Sequence, residues 1–173
     1  MLEIKDKEKS SLESIETAKK DKRFYNVNQM IKVNQKVFLK KFLNSQRLAV
    51  IATQTQNNIP YTNLIAFSQT KKENELLFGT LRNTSKFRNI IINDKVSILF
   101  DNRANSVSDF QNAITITAIG KAHEVDKQQY QDNFLAKHPN LSKFIQNTEC
   151  ALMMINVEKY ILIKNFQEKT IIK

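Results

Sequence analysis

Short apolar runs separated by polar turns divide most of the chain into strands. This pattern predicts strands at residues 47–53, 59–68, 76–80, 95–102 and 114–125, and the ending ALMMINV with KYILIKNF predicts two more strands or one bent strand. Gly120, inside the fifth run, is expected at a β-bulge. Six or seven mostly antiparallel strands with a buried face favour an α+β fold built on a small barrel, with helices flanking it.

Three segments carry helical periodicity instead. Residues 29–44 and residues 85–93 predict amphipathic helices, and residues 126–147 predict a helix broken at His138-Pro139. In the second helix we expect Phe87, Ile90 and Ile91 on the buried side. In the first, a lysine stripe faces one way and apolar side chains face the other; the stripe is Lys32, Lys36 and Lys40, and the apolar side is Met30, Val33, Val37, Phe38 and Phe42.

Residues 1–27 alternate charges and contain few large apolar side chains. This composition predicts a loosely held N-terminal arm ahead of one domain, residues 28–173. The formal net charge of +10 is spread along the chain, so it favours solvated helix faces over a nucleic-acid surface. No apolar run is long enough for a membrane span and the N-terminus is charged, so we expect a cytoplasmic protein without a membrane partner. Cys150, the single cysteine, is expected in the core.

The segment TLRNTSKFRN, residues 80–89, collects hydroxyls and positive charge where a strand should end and a helix begin. Free backbone N–H groups and the positive end of the helix dipole meet at such a place, which favours an anion site. Thr84 or Ser85 is a candidate helix cap, and Arg82 and Lys86 supply charge. The alternative is an ordinary capped helix start whose two cations face water.

The order of elements around this segment resembles the FMN-binding split barrel of the pyridoxamine 5'-phosphate oxidase family. The resemblance covers residues 38–166. Its most specific part is a strand ending in Thr80, then Lys86 six residues later, the turn Asn93-Asp94 and the strand VSILF, residues 96–100. The resemblance implies a mostly antiparallel six- or seven-stranded split β-barrel.

The resemblance also implies a cofactor, FMN, and the residues that hold it. The flavin phosphate would lie at the strand-to-helix segment, on Gly79, Thr80, Arg82, Thr84, Ser85 and Lys86. Main-chain groups of the preceding strand would follow the flavin ring, at Asn63, Leu64, Ile65 and Ala66. Family oxidases have arginines where this chain has Ser85 and Asn63, and they carry a tryptophan-containing C-terminal segment, whereas this chain has no tryptophan. Pyridoxamine phosphate oxidation is therefore not expected.

The implied activity is an FMN-dependent oxidoreductase of unknown substrate. In this family the flavin lies between two subunits, which implies a homodimer, with NADH or NADPH as the candidate electron donor. The alternative is a non-catalytic flavin or haem binder, for which His123 and His138 are the candidate axial ligands. A basic nucleic-acid-associated module is the third hypothesis, disfavoured by the dispersed charge.

Overall fold

Six antiparallel strands close into a barrel, and a seventh strand extends one of its edges. The computed structural model describes residues 34–164 and 168–172. Its strands are β1 Leu48–Gln54, β2 Pro60–Gln69, β3 Glu75–Leu81, β4 Lys95–Asp101, β5 Ile114–Val125, β6 Cys150–Lys164 and β7 Glu168–Ile172. The sheet order is β3-β2-β1-β4-β5-β6-β7, and the additional pairing of β3 with β6 closes the barrel. The predicted α+β barrel is confirmed.

Short helices connect and flank these strands. Within the described residues they are α1 at residues 34–45, α2 Ser85–Ile92, α3 Asp109–Asn112, α4 Lys127–Lys137 and α5 Ser142–Gln146. A 3₁₀ turn, Pro139–Leu141, separates α4 from α5, so the predicted break at His138-Pro139 is confirmed. None of the helices in this part of the chain is long and apolar enough to cross a membrane.

The chain divides into two contact units, Met1–Leu39 and Lys40–Lys173, and the second contains the whole sheet. The predicted arm, residues 1–27, and the first residues of the helix predicted at 29–44 lie outside the described residues.

Alternation along the strands sorts the buried apolar side chains into two groups. One group fills the barrel and includes Phe67 and Phe100, whose rings pack edge to face with centroids 4.7 Å apart. The other lies outside the barrel, between β3, β6 and helices α4 and α5, and consists of Leu77, Phe134, Ile145, Cys150, Leu152 and Met154. The predicted burial of Cys150 is confirmed.

Gly120 occupies the predicted bulge. Ile119 is opposite Lys159 while Gly120 is opposite Val157, so β6 carries one extra residue at this point. A Cβ on Gly120 would lie 2.2 Å from the backbone oxygen of Asn156. The two backbones approach here so closely that only glycine fits.

Two predicted faces differ from the structure. Val37 is 49% exposed, because the buried stripe of α1 is formed by Leu39, Phe42 and Leu43. Ile91 is 63% exposed, because the buried positions of α2 are Asn89 and Ile90. In addition, β7 and the short helix α3 were not predicted, since both are brief and contain mostly polar residues.

Candidate cofactor site

The barrel is open along a seam between β2 and β3. These strands pair only from Phe67↔Phe78 to Gln69↔Leu76. Beyond Phe67, β2 continues to pair with β1, and beyond Phe78, β3 continues to pair with β6. The facing edges therefore carry backbone N–H and C=O groups that the β2–β3 ladder does not use. Such groups need another partner, either water or a ligand.

A cavity of about 300 Å³ lies at this seam. Its lining is composed of Leu64, Ile65, Ala66, Gly79, Thr80, Leu81, Thr84, Lys86, Phe134, Leu141 and Phe144. The volume is at the lower end of the range for small-molecule sites, and an apolar lining with few polar groups is typical of them. The structure thus brings together seven residues that the sequence predicted for the site: Leu64, Ile65, Ala66, Gly79, Thr80, Thr84 and Lys86.

At one end of the cavity, β3 turns into α2 through residues 80–86, here called the corner. Thr84 is the N-cap of α2, and its Oγ1 donates to the backbone oxygen of Leu81 at 2.7 Å and accepts from the N–H of Phe87 at 3.4 Å. Thr80 Oγ1 lies 2.9 Å from Thr84 Oγ1. When Thr84 donates to Thr80 instead of Leu81, the hydroxyl hydrogen of Thr80 becomes available to a ligand.

Lys86 is the ionisable side chain in this lining. It is half-buried, and burial lowers the pKa of its ammonium group below the ordinary lysine value. Within the described part of the chain no carboxylate pairs with it. The N–H groups of Ser85 and Lys86, in the first turn of α2, also have no acceptor inside the helix. The corner therefore combines a desolvated cation with unused donors.

Two hydrogen bonds hold α2, and with it the corner, against β1. Asn89 Nδ2 donates to Thr53 Oγ1 at 3.0 Å, and Asn93 Nδ2 donates to Gln54 Oε1 at 2.7 Å. Because Asn89 is buried, its bond to Thr53 satisfies a polar group that would otherwise be costly to bury. This requirement explains why Asn89, and not Ile91, faces the barrel.

Three of the predicted site residues do not line the cavity. Asn63 lies on β2 one residue before the lining begins, and its Oδ1 is buried without a partner among the described residues. The side chain of Arg82 pairs with Glu124 and Thr148, away from the cavity. Ser85 Oγ accepts from Arg88 Nη2 at 3.3 Å. Arg82 therefore does not stand in the cavity for the arginine that the family has at Ser85.

Sequence reasoning missed the apolar side of the cavity. Phe134 on α4, Leu141 in the 3₁₀ turn and Phe144 on α5 form a surface here called the aromatic wall. Their only signal in the sequence is ordinary helical periodicity, which also describes core residues. Their distance in sequence from the corner gives no indication that they share its cavity.

Neither candidate haem ligand lies at the cavity. His138 is buried, and its Nε2 donates to the backbone oxygen of Phe67 at 2.7 Å. His123 is exposed on β5 and is not part of the cavity lining. Among the described residues that line the cavity there is therefore no histidine to serve as an axial haem ligand.

A closed barrel with one opened seam between β2 and β3, and a cavity at that seam, defines a split barrel. A family model described as pyridoxamine 5'-phosphate oxidase matches residues 37–162. The chain belongs to the pyridoxamine 5'-phosphate oxidase family. A search of the curated proteins found no match.

Three solved structures share the fold. A heme binding protein from Mycobacterium smegmatis has a TM-score of 0.68 at 11% identity, over 77% of this chain and 55% of its own. A Clostridium acetobutylicum protein related to general stress protein 26 of B. subtilis has a TM-score of 0.60 at 14% identity, over 80% of this chain and 95% of its own. A FAD-binding protein from Mesorhizobium loti has a TM-score of 0.59 at 13% identity, over 73% of this chain and 91% of its own. This chain thus spans about half the length of the Mycobacterium protein, and identities this low establish the fold alone.

Proposed function

We propose that the cavity at the seam binds FMN and that the chain is an FMN-dependent oxidoreductase with NADH or NADPH as its electron donor. The observation that carries the proposal is Lys86, a half-buried cation in the cavity lining with no carboxylate partner in the described chain. Burying an unpaired charge is unfavourable, and an anionic ligand offsets that cost. The family membership of residues 37–162 supports the same ligand.

The corner has the donors that a phosphate monoester needs. Lys86 supplies a charge, Thr80 supplies a hydroxyl hydrogen, and the first N–H groups of α2 point out of the helix in the direction favoured by its dipole. Charge-assisted hydrogen bonds of this kind are about twice as strong as neutral ones. We therefore assign the phosphate to Lys86, to the hydroxyl of Thr80 and to the backbone N–H groups of Ser85 and Lys86, with Thr84 as the N-cap that holds this corner in place.

The rest of the cavity suits a flat aromatic ring. Leu64 and Ala66 on one side and the aromatic wall on the other are apolar, and the open strand edges have backbone groups for the polar edge of a flavin. The bound flavin would supply the hydride and electron transfer. Lys86 is the ionisable side chain of this lining, and we assign it to the phosphate. The protein itself would therefore bind the flavin, orient it and exclude water from it.

We further propose that a second copy of the chain covers the outer face of the sheet. The ladder aligns one outward row across six strands: Leu64, Val50, Leu99, Thr117, Ile161 and Ile171. Leu64 is 67% exposed and Ile171 is 51% exposed, at the two ends of this row. Leu64 also lines the cavity, so the apolar face is continuous with the site. A homodimer would bury this face and complete the two cavities.

Titration of the purified full-length chain with FMN tests the proposal directly. We expect flavin absorption bands on the protein, with quenched flavin fluorescence, and anaerobic loss of these bands on addition of NADH or NADPH. Stable bands with both nucleotides would support a non-catalytic flavin binder, and a Soret band after haem addition would support a haem binder. A chain that takes up no FMN contradicts the proposed function.

A further inference from the structure

The side chain of Arg82 turns away from the cavity and binds two other elements. Its Nη2 forms an ion pair with Glu124 at the end of β5, and its Nη1 donates to the backbone oxygen of Thr148 at 2.8 Å. Its backbone N–H donates to the oxygen of Glu149 at 3.0 Å. Arg82 therefore joins the corner to β5 and to residues 147–150, the turn between α5 and β6.

The same turn supports the aromatic wall. Helix α5, which supplies Phe144, ends directly before it. From the other side, Lys127 Nζ donates to the backbone oxygens of Asn147 and Cys150, both at 2.9 Å, and so fixes the start of α4 to this turn. Because α4 supplies Phe134, both helices of the aromatic wall are attached at one point, and Arg82 links that point to the corner.

Arg82 lies just beyond the end of the β3–β6 ladder, so its side chain adds a connection that this strand pairing does not supply. The β3–β6 ladder ends at Leu81↔Cys150, so Arg82 is the first residue of the corner beyond it. The side chains of Arg82 and Glu124 are 40% and 33% exposed, so solvent screens this ion pair only in part. A guanidinium group can bind a carboxylate and a carbonyl at once in a fixed geometry, which a lysine does less well.

We propose that Arg82 is a positioning residue of the cofactor site: it sets the spacing between the corner and the aromatic wall. This inference rests on the proposed FMN binding. FMN would contact both sides of the cavity, with its phosphate at the corner and its ring at the wall. Riboflavin lacks the phosphate and depends less on the corner. Loss of Arg82 should therefore weaken FMN more than riboflavin, because the two ends of FMN no longer fit together.

The first test compares dissociation constants for FMN and riboflavin in the full-length chain, measured by flavin fluorescence. We expect Arg82→Ala to weaken FMN about tenfold and riboflavin less than about twofold, the size of one lost charge-assisted bond. Glu124→Gln should weaken FMN in the same direction, since it removes the charge that anchors the guanidinium, and Arg82→Lys should restore part of the loss.

Arg103→Ala is the matched control. It also removes a guanidinium group that pairs with a carboxylate, since Arg103 Nε lies 3.1 Å from Asp101 Oδ1, but Arg103 does not line the cavity. We expect it to bind FMN as the parent does. Tighter FMN binding by Glu124→Gln would overturn the proposal, because a freed Arg82 would then contact the phosphate directly. Equal weakening of FMN and riboflavin by Arg82→Ala would also overturn it.

The second test needs no ligand, so it separates this inference from the proposed function. Amide hydrogen exchange should become faster in Arg82→Ala both at residues 81–86 and at residues 147–150, whereas Arg103→Ala should change neither segment. If the parent chain does not bind FMN, the proposed function fails, but the exchange result still shows whether Arg82 connects the corner to residues 147–150. Unchanged exchange at residues 147–150 in Arg82→Ala refutes it.

Discussion

Replacing Lys86 tests the candidate site most sharply, because it should change ligand binding and stability in opposite directions. Lys86 is half-buried in the cavity lining and has no carboxylate partner in the described chain. With phosphate bound, its ammonium would make a charge-assisted hydrogen bond worth about 1.5 to 3 kcal/mol. Lys86→Ala should therefore raise the FMN dissociation constant by about 10- to 150-fold. Riboflavin, without a phosphate, should bind nearly as before.

Without ligand, the same cation is a cost. Burial lowers its pKa, which means that the folded protein disfavours the charged form. We therefore expect ligand-free Lys86→Met to melt at the same temperature as the parent or higher, a trade of stability for binding.

Calorimetric or fluorescence titration at one fixed salt concentration measures the effect of Lys86→Ala on binding. Lys95→Ala is the matched control, since Lys95 is an exposed lysine at the start of β4, outside the cavity lining. FMN binding by Lys86→Ala equal to that of the parent refutes the phosphate assignment. An equal loss of riboflavin binding would show that the variant disturbs the cavity as a whole.

Three further predictions concern stability, assembly and pH. Gly120→Ala should lower the free energy of unfolding in urea by about 2 to 3 kcal/mol, because its Cβ meets backbone; Gly79→Ala, whose Cβ meets flexible side-chain ends, should cost less. Leu64→Asp should turn the proposed dimer into a monomer in light scattering, whereas Ile91→Asp, similarly exposed on α2, should not; a monomeric parent contradicts the proposed dimer. Burial, with the nearby charge of Arg47, lowers the pKa of Lys137 to about 8. Between pH 8 and about 10.5 the unfolded chain therefore binds more protons than the folded chain, so the free energy of unfolding should rise with pH. The rise should stay below about 1.4 kcal/mol per pH unit, because solvent reaches part of the side chain, and it should be absent in Lys137→Met.

Much of the barrel was predictable because strand signals are local. Alternating apolar residues, polar turns and the glycine at 120 each act over a few residues, and they placed β1 to β6 and the bulge correctly. Helix faces were less predictable where polar contacts outweighed hydrophobicity. Asn89 faces the barrel because it bonds Thr53, 36 residues earlier, and hydropathy contains no sign of that bond.

The candidate site shows the same division. Thr80, Thr84 and Lys86 share the cavity because a strand end, an N-cap and the first turn of a helix are neighbours in any chain. Arg82 lies between them in sequence, yet its side chain goes to Glu124, 42 residues away. A turn leaves the direction of a long side chain open, and only the packing of distant elements decides it.

By itself the sequence determined the strand pattern, the strand-to-helix corner and the types of donor available there, since these depend on residues close together in the chain. The tertiary structure decided where β2 and β3 separate, that α4 and α5 line the resulting cavity, and that Arg82 fastens the corner to the turn of residues 147–150. Those features depend on strand register and on contacts between residues far apart in sequence, which exist only once the barrel has closed.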